Sequence, residues 1–429
     1  MKVLLIGSGG REHALAWKLI QSQRSQSQSP LTQLYALPGN PGIAQLAEII
    51  PGSVNDIAHI VTTAKEKAID LVVVGPEDPL AAGLADELHE TGIPTFGPSK
   101  TAAQLESSKA LAKDFMARHK IPTASFQSFT EFDAALDYFR QCSVSSVRCP
   151  VIKASGLAAG KGVILPETVE AGEFAMREIM LEGKFGAAGA EVVIEERLEG
   201  REVSILAFCD GKTVVPMIPA QDHKRLLDDD EGPNTGGMGV FAPSSFCPPE
   251  LILQALETAI QPAIYGLWAE GHPFVGVLFT GLMLTPDGPK VLEYNCRFGD
   301  PETQAVLPLL ESDLLDIMIA CVEGKLDQIA GQIRWKEATS VCVVLASGGY
   351  PESYSKGLPI TGLDALPENV IAFHAGTKSE NGKIMTNGGR VLGLTAVAPT
   401  MSEARTLAYE NVTRIHFEGM HYRTDIAKG

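Results

Sequence analysis

The chain has 429 residues, too many for one hydrophobic core, so it divides into two to four domains. Hydrophobic residues make up 45% and charged ones 20%, which excludes a disordered chain and describes an ordinary soluble globular protein. With 52 acids against 35 bases the formal charge is −17, which excludes a nucleic-acid or anionic-membrane surface but allows an anionic small molecule where a few bases converge.

In chain order, a short apolar strand at 2–6 runs into the glycine turn 7–10 and a helix over 11–21. Such a turn lets backbone N–H groups approach an anion at the helix N-terminus. The pattern is near G-x-G-x-x-G, but Glu12 stands where the third glycine would be and would face a pyrophosphate, which counts against a nicotinamide cofactor. A tight turn that only packs helix on sheet is the alternative. Residues 21–29, QSQRSQSQS, read as a solvated polar loop. Strands at 34–36 and 70–74 alternate with helices at 57–67 and 82–89, which predicts an open parallel sheet with right-handed crossovers. Ligands of such sheets lie beyond the carboxyl ends of the strands, where the turns 7–12 and 75–79 fall. Glu77 is there to hydrogen-bond a sugar hydroxyl, or is simply a surface acid.

Between Pro98 and Pro122 a helix over 102–119 carries Lys109. A new unit follows with a helix at 134–142 and a loop at 143–148. Residues 151–165, VIKASGLAAGKGVIL, read as two strands around a loop of small residues. Lys153 and Lys161 bracket that loop, which holds Ser155 and the three glycines Gly156, Gly160 and Gly162. Small residues permit close backbone approach, and successive N–H groups can cradle phosphate oxygens. The P-loop pattern is not met, since Val163 follows Gly162; a hairpin lid with two lysines fits better than a plain glycine hairpin.

A strand over 190–198 ends in Glu195 and Glu196, with Glu202 beyond; these acids suit an adenine edge and a ribose, or are salt-bridged surface groups. Strands at 203–209 and 213–219 precede QDHKR at 221–225 and the acidic run 228–231. The glycine-rich segment 232–239 should hold no regular structure, and a long loop of that kind is usually functional or disordered. A functional loop is favoured, because His223, Lys224, Arg225 and Asn234 are all phosphate-capable donors, although His223 alone reads better as a structural histidine.

A core helix spans 248–270. A strand at 275–284 then turns at 286–288 into a second arm, 291–295, and strand side chains repeat every second position, so Glu293 and Asn295 share a face. An acid and an amide oxygen meeting at one point suit a hard cation such as Mg²⁺. Arg297 and Asp300, just beyond, are able to hold an anion and an amine; an edge strand with a polar turn is the alternative. A helix follows at 309–323, then an α+β pattern with strands at 340–346, 370–376 and 393–398 and a helix at 401–415. Arg390, in the turn 387–390, is within reach of a substrate phosphate or is an ordinary turn base.

The seven cysteines (Cys142, Cys149, Cys209, Cys247, Cys296, Cys321 and Cys342) form no C-x-x-C pair and read as free thiols in a reducing compartment. No charged-plus-apolar leader opens the chain, and no apolar run approaches the ~20 residues a membrane span needs. A cytoplasmic protein is the expectation. The division expected is an N-terminal parallel-sheet domain over 1–121, a small lobe with the lid over 122–192, a large lobe over 193–326 and an α+β domain over 327–429.

Lysines on a glycine lid, a strand-end acid pair and a hairpin with a metal-type acid and amide are the parts of ATP chemistry without a P-loop. They resemble the ATP-grasp arrangement, two α+β lobes holding ATP between them. The segments GSGGREHALAWK, VGPEDPLAAG, GPSKTAAQLESSKALAKDF, IKASGLAAGKGV, QDHKR, GPNTGGMG and EYNCRFGDPETQ occur in that order. Together they resemble the phosphoribosylamine–glycine ligase family, over nearly the whole chain. The resemblance implies that ATP, glycine and 5-phosphoribosylamine give glycinamide ribonucleotide, ADP and phosphate through glycyl phosphate, in purine biosynthesis. It implies Lys109 and Lys153 on the ATP phosphates, Lys153 also serving catalysis, with the loop of Ser155, Gly156, Gly160 and Gly162 closing over them. Glu195, Glu196 and the Leu198 backbone would read adenine and Glu202 the ribose. Glu293 and Asn295 would ligate Mg²⁺ or Mn²⁺, and Arg297 and Asp300 would face the reacting groups. Gly10, Glu77, Asp222, Lys224, Asn234, Gly236 and Arg390 would hold substrate. Thr280, Gly281 and Leu282 on the partner strand offer no second metal acid. The resemblance implies a monomer or homodimer with small-molecule partners only. Rival readings are a sister ATP-grasp ligase or carboxylase, a nicotinamide oxidoreductase on the first turn, and a non-catalytic nucleotide-binding module.

Overall fold

The computed structural model describes residues 1–23, 30–158 and 160–428; most of the expected polar loop, residues 24–29, lies outside the described residues, as does Ala159 of the lid. The N-terminal unit is the open parallel sheet that the alternating pattern predicts. Its strands are β1 (Lys2–Gly7), β2 (Gln33–Pro38), β3 (Glu48–Ile49), β4 (Leu71–Val74) and β5 (Thr95–Phe96), in the order β3-β2-β1-β4-β5. Helices α1 (Gly10–Leu19), α2 (Ile57–Glu66), α3 (Glu77–Ala82) and α4 (Leu84–Glu90) cover it. Gly83, at φ +99°, splits the expected 82–89 helix in two, and Glu77 opens the first piece instead of sitting in a turn.

The expected helix over 102–119 is likewise two helices, α5 (Gln104–Ser107) and α6 (Lys109–Arg118). Ser108 takes an extended conformation between them, and its hydroxyl accepts from Leu111 N, capping α6. Lys109 therefore stands in the first turn of a helix, where the dipole disfavours a cation. A base held at that end is a cue that the position serves an anion.

The small lobe is an antiparallel sheet of β6 (Phe126–Phe129), β7 (Val151–Ala154), β8 (Val163–Ile164) and β9 (Val192–Glu195), ordered β6-β9-β7-β8. Helices α7 (Phe132–Ser145) and α8 (Val169–Met180) pack on it. Strand β6 and helix α8 have no counterpart in the sequence reading, and α7 absorbs the first half of the expected 143–148 loop. This lobe has its own core, with Phe139, Ile152, Met176 and Ile194 buried at the centre. Gly172 lies where the two helices meet, and a Cβ there would fall 2.1 Å from the Phe139 ring. Gly172→Ala is expected to destabilise the lobe by about 1–3 kcal/mol through overpacking. An earlier unfolding step in a thermal melt would register it; an unchanged melt would show that Phe139 has room to move.

The large lobe holds β10 (Arg201–Asp210), β11 (Val214–Pro216), β12 (Gln221–Asp222), β13 (Arg225–Leu227), β14 (Glu231–Asn234) and β15 (Gly239–Ala242). It continues with α9 (Pro249–Ala255), α10 (Gln261–Ala269), β16 (Val275–Thr285) and β17 (Gly288–Asn295). Strands β11-β10-β16-β17 make one antiparallel sheet. The glycine-rich segment is more regular than expected: β14 pairs with β13 as a short ribbon, with Gly232 at φ +79°. The 248–270 helix carries a π turn at Leu256–Ile260, just before Pro262, which has no N–H to continue the ladder. Beyond the hairpin, the expected 309–323 helix begins only at Leu314. It follows α11 (Glu302–Val306) and is α12 (Leu314–Val322), capped by Asp313, with α13 (Leu326–Ile329) after it.

The last unit has β18 (Thr339–Ala346), β19 (Val370–His374), the ribbon β20 (Thr377–Glu380) and β21 (Lys383–Thr386), β22 (Arg390–Ala398) and α14 (Met401–Val412). Its sheet runs β12-β15-β18-β22-β19, so two strands from the middle of the chain extend it. Helix α1, buried along nearly its whole length, packs against α11 and β19. The first, third and fourth units thereby close around one region, at the carboxyl ends of β1 and β4 and the end of β17. The chain is thus a multidomain α/β and α+β protein.

Candidate active site

The hairpin β16–β17 delivers the centre of the site. Gly281 pairs with Glu293 and Leu282 with Val291, so Leu292 is a bulge. A bulge leaves a ladder carbonyl unpaired and re-aims its neighbours. Here the Leu292 carbonyl accepts from Lys153 Nζ at 3.1 Å. The small-lobe lysine and the large-lobe acid, Glu293, therefore share one cleft. Burial alone would raise the Glu293 carboxyl, but the field of Lys224, Lys109 and Lys153, with Arg297, holds it below the ordinary range. Tyr294 points to the opposite face, its hydroxyl donating to Ala259 O at 2.8 Å.

On the small-lobe side Lys153 pairs with Glu195 Oε1, and Lys113 pairs with Glu195 Oε2. Burial would raise the Glu195 carboxyl, but the two lysines hold it down, while burial brings Lys113 to about 8. Glu195 is turned inward onto lysines and is not free to read an adenine edge. Glu196, one residue on, faces the other way and is exposed, accepting from Ser125 Oγ at 3.2 Å. The acid pair that the strand pattern placed together is split between two faces, because side chains alternate along a strand. Leu198 follows the strand exit, half-buried. Glu202 is exposed and pairs with Lys224 at 3.1 Å.

The lid glycines have separate reasons. Only Gly160 takes a positive φ, +75°; a Cβ on Gly156 would meet Ala188 Cα at 2.7 Å, and one on Gly162 would meet Ala158 Cβ at 2.8 Å. Ser155 ties the lid base to α6: its carbonyl accepts from Lys109 N at 2.8 Å and its hydroxyl from Ala110 N at 3.1 Å. Those first-turn amides are occupied, so α6 offers the Lys109 side chain to an anion. Burial lowers the Lys109 ammonium, against the pull of Glu293. Lys161 points away from Lys153 and donates to Pro351 O at 2.8 Å.

Past β17, Arg297 is the hub. Its guanidinium meets Glu106 Oε1 at 2.8 Å, Glu77 Oε2 at 3.2 Å and Asn295 Oδ1 at 3.2 Å. Arg11 adds a second contact to Glu77 at 3.6 Å. Burial would raise Glu77, yet Arg297 and Arg11 depress it to about 2; burial pushes Glu106 up to about 7 in spite of Arg297. Asp300 accepts from Gln304 Nε2 at 2.8 Å and faces Arg390 Nη2 at 3.4 Å. Arg390 also donates to Gly236 O at 2.5 Å and Asp300 O at 2.8 Å. Gly10 abuts the same Gln304 amide.

Other predicted donors are placed differently. Asp222 lies under Gly237; burial pushes its carboxyl up, with repulsion from Glu302, and burial pushes Glu302 up, with repulsion from Asp300. Lys224 is held charged chiefly by Glu202, with Glu293 and Asp222 adding to it. Arg225 donates to Gly232 O at 2.6 Å, a strut of the β13–β14 ribbon. His223 packs against Phe241, and burial keeps it neutral, as a structural histidine. Asn234 sits half-buried opposite Arg225 in the ribbon.

The first turn is filled from within. Glu12 bends back so that Gly9 N donates to its Oε2 at 2.5 Å, and a Cβ on Gly7 or Gly75 would collide with its side chain. The crevice where a dinucleotide pyrophosphate would lie holds a carboxylate, which removes the nicotinamide reading. Sequence reasoning missed Arg11, Glu106, Lys113 and Gln304. The i, i+4 spacing of Lys109 and Lys113 was the one available cue, since it puts both on one helix face.

Comparison with known proteins agrees with this geometry. Family models for phosphoribosylglycinamide synthetase match most of the chain: the N domain over residues 1–106, the ATP-grasp (A) domain over 107–303 and the C domain over 340–429. A phosphoribosylamine–glycine ligase of Brucella melitensis is 50% identical over 428 residues, covering 99% of this chain and 97% of its own. The enzyme of that name from Vibrio vulnificus is 48% identical over 430 residues, with coverage of 99% and 97%. The crystal structure of the Thermotoga maritima phosphoribosylamine–glycine ligase superposes with a TM-score of 0.82 at 33% identity, covering 99% of this chain and all of that one. The chain belongs to the phosphoribosylglycinamide synthetase family of ATP-grasp ligases.

Proposed function

We propose that this chain joins glycine to 5-phosphoribosylamine at the expense of ATP, giving glycinamide ribonucleotide, ADP and phosphate. The observation that carries the reading is the single cleft in which Lys153, Glu293, Arg297 and Asp300 converge from two lobes, with Arg390 reaching in from the C-terminal unit. A carboxylate is a poor acylating group because its leaving group would be oxide. Phosphorylation supplies a leaving group. One glycine carboxylate oxygen attacks the γ-phosphorus, the P–O bond to ADP breaks, and glycyl phosphate forms. The amine of phosphoribosylamine then attacks the acyl carbon; the C–N bond forms, the C–O bond to phosphate breaks, and the nitrogen loses a proton.

The protein's share is positioning and charge neutralisation. Lys109 and Lys153 bind phosphate oxygens, and the Ser155–Gly156 lid base and the backbone at Gly160 and Gly162 close over them to exclude water. The Leu198 backbone is left for adenine and Glu202 for the ribose, while Glu195 positions the lysines. Arg297, braced by Glu77 and Glu106, orients the glycine carboxylate, and Asp300, braced by Arg390 and Gln304, receives the amine. Gly10, Glu77, Asn234, Gly236 and Arg390 surround phosphoribosylamine, with Asp222 and Lys224 between it and the nucleotide. The donor set fits Mg²⁺ or Mn²⁺: Glu293 is kept ionised, and Asn295 Oδ1 retains a lone pair beside the one given to Arg297. Glu293 and Asn295 would hold that ion, which when bound neutralises phosphate charge.

All seven cysteines are free, which supports a reducing, cytoplasmic setting. Among the described residues no helix is long and apolar enough to cross a membrane. The deciding assay is ADP release with each substrate omitted in turn. Both glycine and phosphoribosylamine should be required for sustained turnover. Full turnover with another carboxylate or another amine would favour a sister ligase instead.

A further inference from the structure

Lys113 lies one helical turn beyond Lys109 on α6, four residues apart and on the same face. Its side chain is 2% exposed, and Glu195 and Lys153 beside it are 3% and 5% exposed. Three ionisable groups thus share a dry space: one carboxylate, with Lys113 on one oxygen and Lys153 on the other. Lys113 also donates to Thr123 Oγ1 at 2.7 Å, and its ammonium lies 5.8 Å from the centre of the Phe126 ring. The Thr123 hydroxyl in turn donates to Val291 O at 2.6 Å, on the strand that carries Glu293. Those contacts fix Lys113 behind the carboxylate and away from the cleft. Lys153 differs: among the described residues its polar contacts are Glu195 and the bulged Leu292 carbonyl, on the cleft side.

The second lysine has an electrostatic consequence. A carboxylate as buried as Glu195 cannot be left without a cation, because an unpaired buried charge is strongly unfavourable. Were Lys153 its sole partner, Lys153 could not turn toward a phosphate without stranding it. With Lys113 in place the carboxylate stays paired whatever Lys153 does.

We infer that Lys113 is a positioning residue for the nucleotide phosphates: it stays paired with Glu195 whether or not Lys153 does, and so releases Lys153 to bind phosphate. The inference rests on the proposal that Lys153 contacts the nucleotide phosphates, and it adds the residue that makes this contact affordable. It also gives Glu195 a role distinct from reading the base. Glu195 stores Lys153 near the cleft when no phosphate is present, and Lys113 keeps that storage reversible.

The test is calorimetric titration of the full-length protein with ADP in the presence of Mg²⁺, and with adenosine as the phosphate-free reference. The variants are Lys113→Met, Lys113→Met/Glu195→Gln, Lys113→Arg and Lys153→Met. In Lys113→Met the carboxylate holds Lys153, so ADP affinity should fall by at least about tenfold while adenosine affinity stays within about twofold. In the double variant no carboxylate holds Lys153, and ADP affinity should return to within about threefold of the parent. Lys113→Arg should stay near the parent in both titrations, because it keeps the cation.

Equal losses for ADP and adenosine in Lys113→Met would mean a structural role only and would overturn the inference. So would a double variant that binds ADP no better than Lys113→Met. If Lys113→Met does not fold, the double variant alone decides, since it strands no buried carboxylate and leaves Lys153 its Leu292 carbonyl on the cleft side: near-parental ADP binding supports the inference, and a tenfold loss overturns it. Lys153→Met separates this from the reading beneath it. Should that variant keep its preference for ADP over adenosine, the phosphate role of Lys153 fails and the inference with it. Should it lose the preference while Lys113→Met keeps it, the inference alone fails.

Discussion

Glu293→Gln should lower glycine-dependent ADP formation by roughly 10³-fold or more, since several kcal/mol of charge stabilisation at the phosphates is lost. The change keeps the side chain's volume and removes only its charge. The residue paired across the hairpin is Gly281, which brings no carboxylate to the site. Four cations, Lys224, Lys109, Lys153 and Arg297, would then face one another with less to balance them. Nucleotide should still bind, because those cations attract phosphate by themselves. Loss of turnover with retained ADP binding and an unchanged circular dichroism spectrum is therefore the expected combination. Turnover within tenfold of the parent would remove Glu293 from the centre of the chemistry.

Arg297→Met should be the most destabilising of the site substitutions as well as inactivating. Arg297 is the shared partner of Glu106, Glu77 and Asn295, and truncating it strands the buried Glu106 and leaves the half-buried Glu77 to Arg11. Breaking a buried pair in this way costs about 3–5 kcal/mol. Adding Glu106→Gln should recover part of the lost stability and none of the activity, a split that thermal melts and ADP release would read directly. If the double variant melts no higher than the single one, the hub is not electrostatic.

The same acids set a pH dependence. Glu77 is depressed from 4.5 to about 2, so it contributes stability above pH 4.5 that is lost as pH falls toward 2. Glu106 is raised by burial from 4.5 to about 7, so the folded state binds the extra proton between those values, and its contribution declines as pH rises from 4.5 to 7. Glu106→Gln should flatten the decline in melting temperature across that window and leave the acid limb in place. A parallel profile would show that Glu106 does not titrate there.

Much of the site was legible because it lies on patterns of short period. The two-residue repeat put Glu293 and Asn295 on one face, and the small residues between Lys153 and Lys161 marked a hairpin lid. The same repeat misled at Glu195 and Glu196, where adjacency was read as partnership although neighbours on a strand point apart. Helix boundaries failed where a single residue changed the backbone: Gly83 in the left-handed region, Ser108 as an internal cap, Pro262 behind a π turn. Composition carries those signals only weakly, because each residue type is also tolerated inside helices.

By itself the sequence determined the class of the molecule and the family that its motifs resemble, since burial periodicity and motif spacing are local properties. Only the tertiary structure decided what each acid and base faces. Arg11 and Arg297 sharing Glu77, Arg390 spanning Gly236 and Asp300, and β12 and β15 extending the C-terminal sheet all join residues distant along the chain. Such contacts are chosen by the free energy of burying charges in pairs, which depends on where the chain returns and not on what precedes or follows a residue.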